Sequence, residues 1–220
     1  MTRFRIILLA AFVAACQSAD LAPDNQQAAP QGEWTYFGGD RTFARYSALD
    51  QIDRENVADL RIAWRRPGIE TELKEAFPGL RVGNNLRSTP IMIDRTLFAA
   101  NSVGLLRALD PATGESIWEQ QPFAPTIEEA RGTSPRGFDI WRDGAIKRLL
   151  LARGEFLYSV DASTGELDAD FGEQGRVSLH RDEPLAGQFV WTAGPIVVDG
   201  VVIVAGITGG AGDGGVKKEA

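Results

Sequence analysis

Short apolar runs alternate with tight turns along most of the chain, and this pattern is typical of β-strands. Between residues 90 and 119 four such runs follow one another, and turns containing Asp, Asn, Gly or Pro separate them. Four short strands joined by tight turns predict an antiparallel meander. The four predicted strands are residues 90–93, 96–100, 105–110 and 115–119.

The next part of the chain repeats this plan. Its predicted strands are residues 137–141, 147–152, 156–161 and 166–171. A third unit begins with strands at 195–198 and 201–205, and Asp199-Gly200 separates them. Asp-Gly between two β-branched runs is a strong signal for a two-residue hairpin turn.

The repeat has a measurable period. The motif Asp-x-x-Thr-Gly-Glu begins at Asp110 and again at Asp161, a spacing of 161 − 110 = 51 residues. A period near fifty with four strands per unit predicts an all-β fold, a β-propeller of four-stranded blades. Trp118 follows the first motif, and we expect its ring to lie across the neighbouring blade, whereas the second unit carries Ala169 at this place.

About two and a half units are present, fewer than the four blades at which propellers usually close. We therefore expect this sequence to be the N-terminal part of a longer protein. Before the first unit, Asp53 is predicted to cap a short helical turn. Residues 61–64 are predicted to form a strand that completes a blade not contained in the chain.

The N-terminus has the pattern of a secretory signal. Arg3 and Arg5 precede an apolar run of residues 6–15, which is too short to span a bilayer as a helix. The small residues before Cys16 resemble the lipobox of bacterial lipoproteins; an ordinary signal peptide with a chance cysteine is the alternative. We predict a signal peptide at 1–15, lipidation at Cys16, a flexible tether at 16–32 and a propeller domain at 33–220. The expected location is the periplasmic side of the cell envelope.

Composition excludes several kinds of site. The formal net charge is −7 with a pI of about 4.9, and the absence of a basic run argues against a nucleic-acid partner. A single cysteine excludes an internal disulfide framework and a cysteine-based zinc site. The single histidine, His180, excludes a site within this chain that needs two imidazoles.

Several segments together resemble the pyrroloquinoline quinone (PQQ)-dependent dehydrogenases, and they are closer to the glucose and polyol branch than to the methanol branch. They occur in order along most of the chain, and their combination is more specific than any one of them. The principal segments are residues 34–40, 45–52, 108–118, 135–137 and 170–177.

This resemblance implies an eight-bladed propeller that holds PQQ on its axis, beside a divalent metal that is usually calcium. It implies oxidation of a sugar, polyol or other alcohol, with hydride transfer to the quinone. The lipid anchor would attach the protein to a membrane. A quinone or a cytochrome would serve as the electron acceptor.

The resemblance also suggests roles for individual residues. Arg136 matches an arginine near the PQQ carboxylates, although a surface arginine beside a turn is the alternative. Thr192 matches a threonine that contacts the cofactor, or is an ordinary strand threonine. Residues 208–210 (Thr-Gly-Gly) stand where the family has an acidic metal ligand, so Asp213, a little downstream, is the candidate ligand; a simply solvated aspartate in a glycine-rich loop is the alternative. The catalytic base is expected beyond residue 220.

A second class of function fits the same repeats. A lipid-anchored propeller without a cofactor also serves as a scaffold in outer-membrane β-barrel assembly. The segment from Trp34 to Trp64 and the presence of Arg136 favour the dehydrogenase, because a scaffold has no need of a carboxylate-binding group on its axis.

Overall fold

The structure of this chain is a computed structural model. It describes residues 32–84, 86–179, 188–191 and 193–209. The described chain is mostly antiparallel sheet with two short helices, α1 (Thr71–Ala76) and α2 (Ile127–Ala130). The strands are β1 (Ile91–Ile93), β2 (Thr96–Ala100), β3 (Leu106–Leu109), β4 (Ser116–Glu119), β5 (Asp139–Asp143), β6 (Ile146–Arg153), β7 (Phe156–Asp161), β8 (Arg176–Ser178), β9 (Gln188–Trp191), β10 (Ile196–Val198), β11 (Val201–Ile203) and β12 (Gly206–Gly209).

Two four-stranded meanders dominate the fold. Their strand orders are β1-β2-β3-β4 and β5-β6-β7-β8, and every neighbouring pair is antiparallel. The third unit begins with the hairpin β10-β11, whose turn residues Asp199 and Gly200 both have positive φ (48° and 75°). Strand β12 also pairs with β9, a contact that the hydrophobic pattern does not predict. The predicted propeller-type meanders are thereby confirmed.

The fourth strand of the second unit differs from the prediction. Strand β8 is Arg176–Ser178, not residues 166–171, and it pairs with β7 through Phe156 and Ser178. At the predicted place the Asp168 amide donates to Ser159 O, and the Phe171 amide donates back to Asp168 O, both at 2.9 Å. The first bond holds Asp168 at the edge of β7, where Leu167 also forms a bridge with Val160. The second closes a turn that takes the chain away from the sheet, and pairing resumes only at β8.

Residues 61–64, predicted to complete a blade that the chain does not contain, belong to no sheet in the described part of the chain, so this assignment stays a prediction. A strand needs a neighbouring strand to supply its hydrogen-bonding partners. The preceding helical turn is confirmed as a 3₁₀ helix, Val57–Asp59. Asp53 Oδ1 accepts the amides of Glu55 and Asn56 at 2.9 Å each.

The main core lies between the two meanders. Side chains from strands of both sheets meet there and exclude water, which is the principal stabilising contribution of the fold. Partly buried Phe123, Phe156 and Leu167 pack against its edge. The largest buried members are Ile91, Ile93, Phe98, Leu106, Trp118, Phe138, Leu149, Leu151, Tyr158 and Val160.

Tryptophan rings connect successive units, as predicted for Trp118. The Trp118 indole donates to Ala162 O at 3.0 Å, and its ring lies against Gly165, where a Cβ would come within 2.5 Å of it. Trp64 repeats this contact one unit earlier, donating to Pro111 O at 2.9 Å. Both motifs thus need a glycine at the position that the ring covers.

Candidate functional site

Arg136 lies in the loop that leads into β5, at the edge of a cleft of about 220 Å³. Its guanidinium is exposed and makes no hydrogen bond or ion pair within the described part of the chain. Three separate segments surround the cleft. The lining residues are Tyr36, Phe37, Phe43, Arg136, Phe138, Ala193, Gly194, Pro195 and Ile196.

Aromatic rings form one wall of this cleft. Phe43 packs edge-on against Tyr36, with ring centroids 5.3 Å apart, and lies 6.0 Å from Phe37. Phe138 is almost fully buried behind them. Such a wall presents flat apolar surface to whatever occupies the cleft.

The opposite wall depends on a close approach of two backbones. A Cβ added at Gly194 would lie 2.8 Å from the carbonyl carbon of Gly137, so a side chain at this position would force the two segments apart. Gly137 in turn faces Phe37. The small residues therefore bring residues 193–196 against the Arg136 loop.

Ser134 anchors the loop that carries Arg136. Its buried hydroxyl accepts the backbone amides of Arg87 and Ser88, at 3.1 Å each. These amides belong to the segment that leads into β1. The first meander thereby restrains the loop of the second.

A buried carboxylate lies directly behind the cleft. Asp139 is fully buried at the start of β5 and is paired with Arg41 at 2.8 Å. Burial raises the pKa of Asp139, while the Val197 amide and the Arg41 guanidinium oppose this shift. Burial and then the Asp139 charge raise the pKa of Tyr36, so its phenol remains protonated at neutral pH.

The arrangement suits a flat anionic molecule. Arg136 offers a planar set of donors that no other described residue uses, and a guanidinium fork matches carboxylate geometry. The aromatic wall can contact a planar ring system. The residues present therefore fit a group such as PQQ, whose ring system carries carboxylates.

The described residues contain no cluster of three or more His, Cys, Asp or Glu side chains that could hold a metal. Over the same residues, no helix has the length and apolar character needed to cross a bilayer. A second, larger cleft of about 490 Å³ lies between α1 and the end of β4. It is lined by residues such as Glu70, Phe77 and Gln120 and contains none of the predicted site residues.

Of the predicted site residues, the described structure contains only Arg136. Cys16, Thr192 and Asp213 lie outside the described residues, so their assignments stay predictions. Ala193, which follows Thr192 directly, lines the Arg136 cleft.

Sequence reasoning did not identify the aromatic wall or the ion pair of Arg41 with the buried Asp139. Tyr36 lies within residues 34–40, a segment that carried the family resemblance. The sequence of this segment does not show which residues contact Tyr36 in the fold. The signal for Asp139 is a lone charge inside the apolar run at 137–141. Charged residues are rarely buried without a partner, so a buried aspartate at this position predicts a cation beside it. The local sequence does not show which residue supplies that cation.

Relatives of known activity share this sequence pattern. The chain is 30% identical to quinoprotein glucose dehydrogenase A of Acinetobacter calcoaceticus over 209 residues, covering 84% of this chain and 26% of that protein. It is 28% identical to the glycerol dehydrogenase large subunit of Gluconobacter thailandicus over 194 residues, with the same two coverages of 84% and 26%. The chain thus spans about a quarter of the length of these relatives.

A solved structure shows the same fold. The quinohemoprotein alcohol dehydrogenase of Comamonas testosteroni superposes with a TM-score of 0.60 at 24% identity, covering 85% of this chain and 24% of that one. Residues 34–217 match the family model of the PQQ β-propeller domain of glucose, ethanol and alcohol dehydrogenases. These matches identify the dehydrogenase family, and not the scaffold proteins considered as the second class of function. The chain therefore belongs to the β-propeller family of PQQ-dependent dehydrogenases and forms part of such a propeller.

Proposed function

We propose that the protein is a PQQ-dependent dehydrogenase that oxidises a sugar, polyol or other alcohol, and that this chain supplies one wall of the cofactor site. The observation that carries the proposal is the Arg136 guanidinium, which lies at the edge of an aromatic cleft and has no partner among residues 32–84, 86–179, 188–191 and 193–209. Names of the relatives, which include glucose, glycerol and alcohol dehydrogenases, support this range of substrates.

When bound, PQQ supplies the redox chemistry, accepting a hydride from the carbon that bears the alcohol. The residues of this chain bind and orient it. Arg136 would pair with a carboxylate of the cofactor, and the apolar wall of Tyr36, Phe37 and Phe138 would exclude water from one side of the site. Exclusion of water strengthens the ion pair with Arg136, because charges interact more strongly where the dielectric is low.

The remaining assignments of the site are proposals that rest on the family pattern. Thr192 would donate its hydroxyl to the cofactor, next to Ala193 at the cleft. Asp213 would be one ligand of a calcium ion or another divalent metal, which favours carboxylate oxygens. The base would be an aspartate outside this chain, and the electron acceptor a quinone or a cytochrome.

Replacing Arg136 with glutamine in the full-length protein is expected to weaken PQQ binding about 10- to 100-fold. Hydrogen bonds to charged groups contribute about 1.5–3 kcal/mol, and glutamine cannot supply the charge or the planar fork. The measurement is quenching of tryptophan fluorescence on titration with PQQ. Dye-linked oxidation of glucose and glycerol would then report activity.

Arg142→Gln is the matched control, because Arg142 is an exposed arginine on β5, six residues further along the chain. Its affinity for PQQ should equal that of the wild type. Wild-type protein that binds no PQQ would refute the proposed function. Equal affinities of the Arg136 and Arg142 variants would refute the role of Arg136 alone.

We further propose that Cys16 carries a lipid that anchors the protein on the periplasmic side of a bacterial envelope. Cys16→Ser is expected to abolish incorporation of labelled palmitate and to move the protein from the membrane fraction to the soluble fraction. Substitution of Ser18 by alanine serves as the control, since a nearby residue outside the lipobox should leave labelling intact. Labelling that persists in Cys16→Ser would contradict the lipoprotein assignment.

A further inference from the structure

The Arg136 cleft is built from three segments that are far apart in the chain. They are residues 36–43, the loop at 136–138 and residues 193–196. The second and third lead into β5 and β10, which belong to separate sheets, so no backbone ladder joins them. Some other contact must therefore set the spacing of the walls.

The Asp139 carboxylate joins all three segments. Oδ1 accepts the Ile140 amide at 2.8 Å and Arg41 Nη2 at 3.2 Å. Oδ2 accepts the Val197 amide at 2.7 Å and Arg41 Nη1 at 2.8 Å. Each oxygen thus receives one backbone amide and one guanidinium N–H.

This donor set requires an ionised carboxylate. A proton on either oxygen of Asp139 would face donors only, and an asparagine would turn its NH₂ group towards a backbone N–H. Buried polar groups that lose their partners are costly, so these four bonds act as a unit. The bond to Val197 holds the residue that directly follows the cleft residues 193–196.

Arg41 carries the connection to the aromatic wall. Its guanidinium carbon lies 4.6 Å from the centre of the Tyr36 ring, and it is the only cation that an ion pair places on Asp139 among the described residues. The next residue, Thr42, is held in a tight turn by Asp40, whose Oδ1 accepts its amide at 2.9 Å. Arg41 therefore positions one wall and also neutralises a carboxylate next to Phe138.

We propose that Arg41 and Asp139 are positioning residues that set the geometry and the charge of the Arg136 cleft, and that the cleft binds a planar polyanion with high affinity only while this pair is intact. The inference rests on the proposed function, with PQQ as the anion. Loss of Arg41 would leave an unneutralised carboxylate beside the cleft, where it repels an anionic ligand. Loss of Asp139 would free the Val197 amide and the Arg41 guanidinium, so the walls would separate.

A double-mutant cycle on PQQ binding tests the pair in the full-length protein. Arg41→Gln and Asp139→Asn are each expected to raise the Kd for PQQ about tenfold. The double variant should be no weaker than the worse single variant, because both changes remove the same interaction. Arg41→Lys should recover part of the affinity, since lysine restores the charge but not the two-pronged contact.

The matched control is the pair Lys147–Asp94, which also joins the two meanders but lies on the surface, away from the cleft. Asp94→Asn should leave the Kd unchanged. Thermal unfolding of every variant distinguishes a role in binding from a merely structural role. A merely structural role would lower the melting temperature without changing the Kd for PQQ. Arg41 is partly exposed, with 41% of its side chain accessible, so Arg41→Gln should fold even if Asp139→Asn does not.

The outcomes distinguish this inference from the proposed function. Wild-type protein that binds no PQQ would overturn both. Wild-type binding together with unchanged Kd values in folded Arg41→Gln would overturn the positioning role and leave the function standing. Additive losses in the double variant would show that the two residues act independently, against the proposal.

Discussion

Replacing Trp118 with alanine is expected to lower the free energy of unfolding by about 3–5 kcal/mol, the usual cost of truncating a buried tryptophan. The ring is 9% exposed and packs against Phe98, with centroids 6.0 Å apart. Its indole N–H also donates to Ala162 O in the second meander. Truncation would therefore open a cavity between the two meanders and leave a buried carbonyl without its donor.

Chemical denaturation monitored by circular dichroism measures this effect. Ile117→Ala is the control, because Ile117 lies on the same strand but is 56% exposed, and its loss should change stability by less than about 0.5 kcal/mol. The loss of stability in Trp118→Phe should lie between the losses in Trp118→Ala and Ile117→Ala, since phenylalanine keeps an aromatic ring but cannot donate the hydrogen bond. If Trp118→Ala were as stable as Ile117→Ala, the ring would not hold the meanders together.

The second large effect is expected at Arg153, at the end of β6. This arginine is 6% exposed, and its Nε donates to Val103 O at 2.9 Å. One Nη donates to the carbonyls of Glu129, Ala130 and Arg131 at 2.8, 3.2 and 2.9 Å. A single guanidinium thus joins the β2–β3 loop to the end of α2.

Arg153→Met should lower the free energy of unfolding by about 3 kcal/mol, because each buried polar group left without a partner costs roughly 1–3 kcal/mol and some of these carbonyls can reach water. Arg153→Lys should keep only part of the stability that Arg153→Met loses, because an ammonium has three donors on one atom and cannot reach both the loop and the helix. Arg142→Met, on an exposed arginine, is the control. A loss below 1 kcal/mol in Arg153→Met would show that water replaces the guanidinium at little cost.

Burial lowers the pKa of Arg153, whereas the neighbouring Tyr158 and Glu129 oppose the change. A buried guanidinium is tolerated here because carbonyl oxygens satisfy its donors. Arg136, also in the second unit, differs from Arg153 in that no hydrogen bond or ion pair to another described residue holds its guanidinium.

The strand pattern and the turns could be predicted from the sequence, because both depend on local chemistry. Asp199 and Gly200 adopt positive φ in a two-residue turn, as their residue types favour. The position of β8 could not be predicted in this way. The turn after Asp168 competes with the strand, and the alternating polar and apolar residues at 166–171 do not reveal which of them forms.

The candidate site also contains features that the local sequence predicts and features that it does not. Arg136 could be proposed as a cofactor-binding residue because its immediate neighbours carry the family pattern. The Arg41–Asp139 pair could not, because 98 residues separate its members, and Val197 lies 58 residues from Asp139. Nothing in the local sequence of either residue specifies the other.

The sequence alone therefore determined the repeat of four-stranded units and the contact of Trp118 with the neighbouring unit, and it made Arg136 a candidate for binding a ligand, because each follows from residue type and spacing within one short segment. Only the tertiary structure decided which segments surround that arginine and which cation neutralises the buried carboxylate behind it. The physical reason is that burial and charge pairing depend on distance in space, and residues far apart in the chain become neighbours only when the meanders pack together.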